Sequence, residues 1–122
     1  MAAADDGLRY SAADFIKAGN DRTAFGLAMD RALERFDVLV SPGCAILPFT
    51  AGLELPEGST AHRWTEWAGF SFPINMTQQP ALVLPAGKSA DGRPIGLQLV
   101  GGRGRDGFVL SVGAAVQAAS IV

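Results

Sequence analysis

The chain has 122 residues, 48% of them hydrophobic and 18% charged, with a formal net charge of -2. Its basic residues are scattered, which excludes the electrostatic footprint of a nucleic-acid binder; no apolar run approaches the ~18 residues of a membrane span, and the opening MAAADDGLRY has neither the basic nor the apolar region of a secretory leader. A single cysteine, Cys44, and a single histidine, His62, exclude an internal disulfide and a zinc-type ligand set, so a cytoplasmic protein without cofactor or structural metal is expected.

Ser11 followed three residues later by Asp14 is an approximate capping box, and it predicts a helix over residues 11–35. Phe15, Ala18, Phe25, Met29, Ala32 and Phe36 recur at three- and four-residue spacing, so the helix is expected to dock by that stripe, with a break near Gly19. Val38-Leu39-Val40-Ser41, closed by Pro42-Gly43, suits a strand buried on both faces. Residues 45–60 contain Pro48, Pro56 and interspersed glycines with no period and read as a long surface loop, followed by a short helix around His62 to Ala68.

Ala81 to Pro85 is a second apolar run, Asp91-Gly92 is a turn signal, and Ile95 to Val100 alternates, which together predict two antiparallel neighbours joined by a loop with Asp91-Gly92 near its tip. Asp106 is placed to cap a last helix through Phe108, Leu110, Val112, Ala115, Val116 and Ala119, apolar on more than one side. Asn75 and Thr77 are expected to brace an irregular loop before Pro80.

These elements make an α/β arrangement, part of a mixed sheet flanked by helices. Three strands and two or three helices cover one face of such a sheet and leave a strand edge and much of the second apolar face uncovered. The chain therefore reads as a fragment or as a unit needing a partner, with a two-layer α/β domain of smaller second face as the alternative.

Four segments in order are similar to the C-terminal region of amidase-signature enzymes: Phe36 to Pro42, Phe72-Pro73-Ile74-Asn75-Met76-Thr77, Gln79-Pro80-Ala81 running to Leu84-Pro85, and Asp91 to Gly101. The resemblance covers about Leu8 to Ala119, so residues 1–122 are expected to form one segment, the C-terminal part of an amidase-signature domain. Gln78 departs from the glycine often found after the threonine in that family. The resemblance implies hydrolysis of carboxylic amide C–N bonds other than peptide bonds by a Ser-Ser-Lys mechanism, in which an activated serine attacks the carbonyl.

The Gly-Gly-Ser-Ser stretch that presents those serines is absent, and the only lysines, Lys17 and Lys88, lie outside the family's context for its base. No catalytic residue is assigned, and whether the chain alone is an enzyme is left open; a hydrolase built on Cys44 or a serine with His62 is remote, for want of a base beside either nucleophile. A role in the wall of a substrate pocket fits better, because open α/β sheets bind ligands beyond the carboxyl ends of their strands. That argument selects Ser41 and Cys44, with Trp64 and Trp67 as candidate lining of an apolar acyl pocket and Gln79 beside them. The implied partners are a small-molecule amide, once a missing N-terminal part completes the site, and a further copy or partner chain. The alternative is a non-catalytic binding or interaction module that retained the fold.

Overall fold

In the computed structural model, which describes residues 2–119, the chain builds four α-helices and one three-stranded sheet. Met1 and residues 120–122 lie outside the described residues. A short helix α1, Ala2–Gly7, for which the sequence carries no clear signal, precedes α2, Ala12–Leu33. Ser11 caps α2 as its spacing to Asp14 requires: the Asp14 amide donates to Ser11 Oγ at 3.2 Å and the Ser11 amide returns to Asp14 Oδ2 at 2.9 Å.

The expected break at Gly19 does not occur, and α2 runs unbroken for 22 residues. Thr23 Oγ1 donates to the Gly19 carbonyl at 3.0 Å, and the helix passes over the weak glycine with its ladder intact. Its docking face is also not the predicted stripe. Gly26 and Leu33 are buried, whereas Phe15 is 80% exposed and Phe25 and Phe36 also face outward. The reason is that α2 meets the short helix α3, Phe72–Thr77, through a polar and glycine-bearing side: Arg22 Nε donates to the Met76 carbonyl at 2.8 Å, and bare Gly26 lies against the Thr77 backbone. The phenylalanine stripe is left largely uncovered among the described residues, with Phe15 and Phe36 the most exposed.

Helix α3 replaces the irregular loop expected before Pro80. Pro73 sits in its first turn, where a missing amide costs nothing. Asn75 Nδ2 donates to the Ser71 carbonyl at 2.9 Å and Thr77 Oγ1 to that of Pro73 at 2.7 Å, so both residues brace backbone as expected, but the backbone is helical. The helix ends at Gln78 in the left-handed region, φ 65°, its amide donating to the Ile74 carbonyl.

Strands β1 (Leu39–Pro42), β2 (Ala81–Lys88) and β3 (Pro94–Val100) pair in the order β1-β3-β2, antiparallel throughout. The β2–β3 hairpin forms as predicted: Gly92, with φ 84°, closes the turn, and the Ser89 amide donates to the Arg93 carbonyl at 2.8 Å. The β1 run, expected to be buried on both faces, is instead an edge of this sheet, as is β2. Leu39, Val40 and Val83 are exposed, whereas Leu99 and Val100 on β3, which among the described residues has a strand on each side, are sealed. Packing does to β3 what apolarity alone predicted for β1.

The last helix, α4, spans Asp106–Ala118 and packs on one face of the sheet, burying Val109 against Leu84 and Leu99 with Leu82, Leu97, Val112 and Val116 around them. Asp106 is its first residue and not its cap; Arg105 holds the cap position without a side-chain bond, and the aspartate favours the helix through the positive end of its dipole. Leu110 is exposed, as an all-round apolar helix in an incompletely covered fold requires. No helix of the described residues is long and apolar enough to cross a membrane.

Candidate functional site

The carboxyl end of β1 starts the site. The Gly43 amide donates to the Gly96 carbonyl at 2.7 Å, so pairing with β3 continues one residue past Pro42 before the chain leaves the sheet. A Cβ on Gly43 or on Gly96 would stand 3.0 Å from Val83 Cγ1, which explains glycine at both points of this three-strand crossing. Beyond it, residues 44–53 fold back over the start of β3 and enclose, with Trp67, an open cavity of about 710 Å³.

The long loop is held at three points. Arg93 Nη1 donates to the Pro48 carbonyl at 3.0 Å, joining the loop to the hairpin turn. Trp67 Nε1 donates to the Glu54 carbonyl at 3.2 Å, and the Glu54 carboxylate accepts from the Trp64 amide at 3.2 Å and from Arg63 Nε at 3.0 Å. Those bonds, the Trp64 amide first and Arg63 next, hold the Glu54 carboxyl below its ordinary pKa. A single 3-10 turn, Trp64–Glu66, stands where a short helix was expected; Glu66 closes it by accepting from the amides of His62 and Arg63.

The structure brings Cys44 and Trp67 together on the cavity wall. Trp64 stands behind Trp67, ring centroids 6.3 Å apart, and continues to Phe72 at 5.3 Å; Phe49 meets Trp67 edge-on at 5.9 Å. Ser41 lies two residues before Gly43, half-buried, its Oγ accepting from Gln98 Nε2 at 3.1 Å and donating to the Pro42 carbonyl at 3.1 Å. Gln79 is elsewhere. It is buried between α2 and β2, where Nε2 donates to Asp30 Oδ1 at 3.0 Å and Oε1 has no partner among the described residues.

Two groups of residues are not apparent from the sequence. Gln98, buried in the central strand, bonds Ser41 and also the Phe70 carbonyl at 3.1 Å; a glutamine interrupting an apolar strand is its only signal, and it reads as simple alternation. Asp30 and Arg103, 73 residues apart, form a bidentate ion pair on which Gln79 converges, and the Arg103 hydrogen bond leads the effects that lower the Asp30 pKa. No local pattern could have joined them.

Among the described residues, neither lysine nor His62 hydrogen-bonds a serine or Cys44. Lys17 pairs with Asp21 at 2.6 Å, one turn along α2. The cavity wall therefore offers shape and apolar surface but no nucleophile activated by a base.

The family model described as Amidase matches residues 3–110. The chain belongs to the amidase family. Within that family it is 41% identical over 87 residues to an acylamidase of Rhodococcus erythropolis, the match covering 68% of this chain and 18% of the relative. It is 32% identical over 111 residues to a glutamyl-tRNA(Gln) amidotransferase subunit of Dehalococcoides mccartyi, covering 91% of this chain and 22% of that one. A solved amidase superposes with TM-score 0.79 at 33% identity, over 93% of this chain and 26% of its own. A 6-aminohexanoate cyclic dimer hydrolase gives 0.77 at 28%, over 91% and 25%. The amidase-family chain thus spans about a fifth of the length of these curated relatives, with the α/β fold of the corresponding quarter of the solved enzymes.

Proposed function

We propose that residues 1–122 act as one C-terminal segment of an amide hydrolase, forming the wall of its substrate pocket while the remaining polypeptide supplies the serine nucleophile, relay and lysine base. The observation behind this reading is the cavity at the carboxyl end of β1, lined by Cys44 and Trp67 and backed by Trp64, on a chain that lacks Gly-Gly-Ser-Ser. Ser41 stabilises the strand end from which the wall departs, and Gln79 supports the site at a distance by fixing α2 to the start of β2. The missing part, in the same polypeptide or as a partner chain, covers the phenylalanine stripe of α2 and the exposed faces of β1 and β2. A free, exposed Cys44 fits a reducing cytoplasm.

Ammonia release from a panel of aliphatic and aromatic amides tests the reading. The 122-residue chain alone is expected to release none. Fused in frame behind the remainder of an amidase-family chain containing Gly-Gly-Ser-Ser, it is expected to turn amides over, and serine-to-alanine substitution there abolishes the activity. Turnover by the isolated chain that survives contaminant controls would sink the proposal, as would a folded fusion without turnover; the latter outcome belongs to a non-catalytic binding module.

A further inference from the structure

We infer that the cavity beneath residues 44–53 selects uncharged amides with an apolar body and rejects those bearing a carboxylate or an ammonium group. The inference rests on the pocket-wall reading above and adds the substrate class to it. Among the described residues no charged side chain lines the cavity; its wall is formed largely by Ile46, Leu47, Phe49, Leu53, Trp67 and Ile95, with the Cys44 thiol and the Thr50 hydroxyl as its side-chain polar groups.

The charges that border this wall are committed elsewhere. Glu54, next to Leu53, is held by Arg63 and the Trp64 amide, and Arg93, next to Pro94, divides its guanidinium between the Pro48 carbonyl and Asp91, at 2.6 Å. Trp67 has its single polar hydrogen on the Glu54 carbonyl, so the indole presents only apolar ring to a ligand. A charged group seated against this wall gives up part of its hydration without meeting a counter-ion, whereas an alkyl or aryl group gains by leaving water. At about 710 Å³ the space suits a ligand of small-molecule size, in the usual range of binding pockets.

The test uses three probes of similar length: hexanamide, the mono-amide of hexanedioic acid (anionic) and 6-aminohexanamide (cationic). Trp64 and Trp67 are the chain's two tryptophans, so intrinsic fluorescence of the full chain reports occupancy directly. Hexanamide is expected to give a saturable change, and each charged probe to bind at least about tenfold more weakly. Leu53 sits in the loop, 45% exposed, so Leu53→Lys is compatible with the fold and is expected to reverse the preference toward the anionic probe.

Equal binding of the three probes overturns the inference, and so does a lack of saturable binding by any of them. Neither result touches the amide-hydrolase reading, which stands or falls on turnover by the fused chain. Conversely, a fusion without turnover whose cavity still prefers hexanamide leaves the selectivity in place and removes only the chemistry.

Discussion

Gln98, at the centre of the sheet, donates from one amide nitrogen to Ser41 Oγ and to the Phe70 carbonyl, each at 3.1 Å. A buried polar side chain thereby ties the edge strand β1 and the segment leading into α3 to β3. Gln98→Leu keeps the volume but leaves both acceptors without their donor, and a loss of about 1–3 kcal/mol is expected. Ser41→Ala, which removes one acceptor of two, is expected to cost less, about 1 kcal/mol. Urea unfolding midpoints of the two variants at constant slope check the order.

The Asp30–Arg103 pair predicts a pH dependence of defined sign. The Arg103 hydrogen bonds, with Gln79 adding to them, lower the folded-state pKa of Asp30 below its ordinary 3.8. A depressed carboxyl stabilises the fold above the unfolded-state pKa and loses that contribution as pH falls toward the folded one. The stability difference between the parent chain and Asp30→Asn is therefore expected to be full at about pH 6 and to shrink as pH drops below about 4. Thermal unfolding of both proteins across that range measures it; a difference independent of pH would show that the charge of Asp30 is not what holds α2 to the β3–α4 connection.

Two glycines, Gly101 before α4 and Gly113 within it, predict unequal costs. A Cβ on Gly101 would overlap Val109 Cγ2, and Val109 is buried, β-branched and confined to one rotamer in the helix. A Cβ on Gly113 would overlap Leu82 Cδ2, the free end of a half-buried side chain that can swing aside. Gly101→Ala is expected to cost about 2–3 kcal/mol and Gly113→Ala about 1 or less, since alanine also regains ~1 kcal/mol of helix propensity at the second position. Calorimetric unfolding of the pair decides the order.

Gln78 predicts a gain. Its φ of 65° is a left-handed conformation costing a side-chain-bearing residue about 1 kcal/mol or more, and glycine adopts it freely. Gln78→Gly is expected to stabilise the chain by about 0.5–1 kcal/mol, the greater freedom of glycine in the unfolded chain offsetting part of the relief. An unchanged or lowered melting temperature would mean that the Gln78 side chain has a compensating contact.

What could be read from the sequence was what neighbours along the chain decide. Ser11 and Asp14 place the start of α2 because a capping box closes within four residues, and Asp91-Gly92 places the hairpin because only a few residues must turn there. The segments Phe36 to Pro42 and Asp91 to Gly101 carried the family, since their order and spacing are linear properties. The carboxyl end of β1 was read as the place to look for a pocket, and Cys44 and Trp67, two of the residues singled out, both border the cavity beyond it. Helix α3 was missed because six residues with a proline among them produce too short a period to detect.

Tertiary structure alone decided which surfaces meet. Apolar residues show that an element is to be covered, but not by what: α2 turns Gly26 and Leu33 inward instead of its phenylalanines, and the most apolar strands stand at the edges of this sheet. The Asp30–Arg103 pair took Gln79 out of the candidate pocket, and Gln98 reached across the sheet to Ser41. Such bonds link residues 49 to 73 positions apart, so their existence depends on chain closure and packing. Hydrophobic periodicity is indifferent to the partner, whereas a hydrogen bond requires one at about 3 Å.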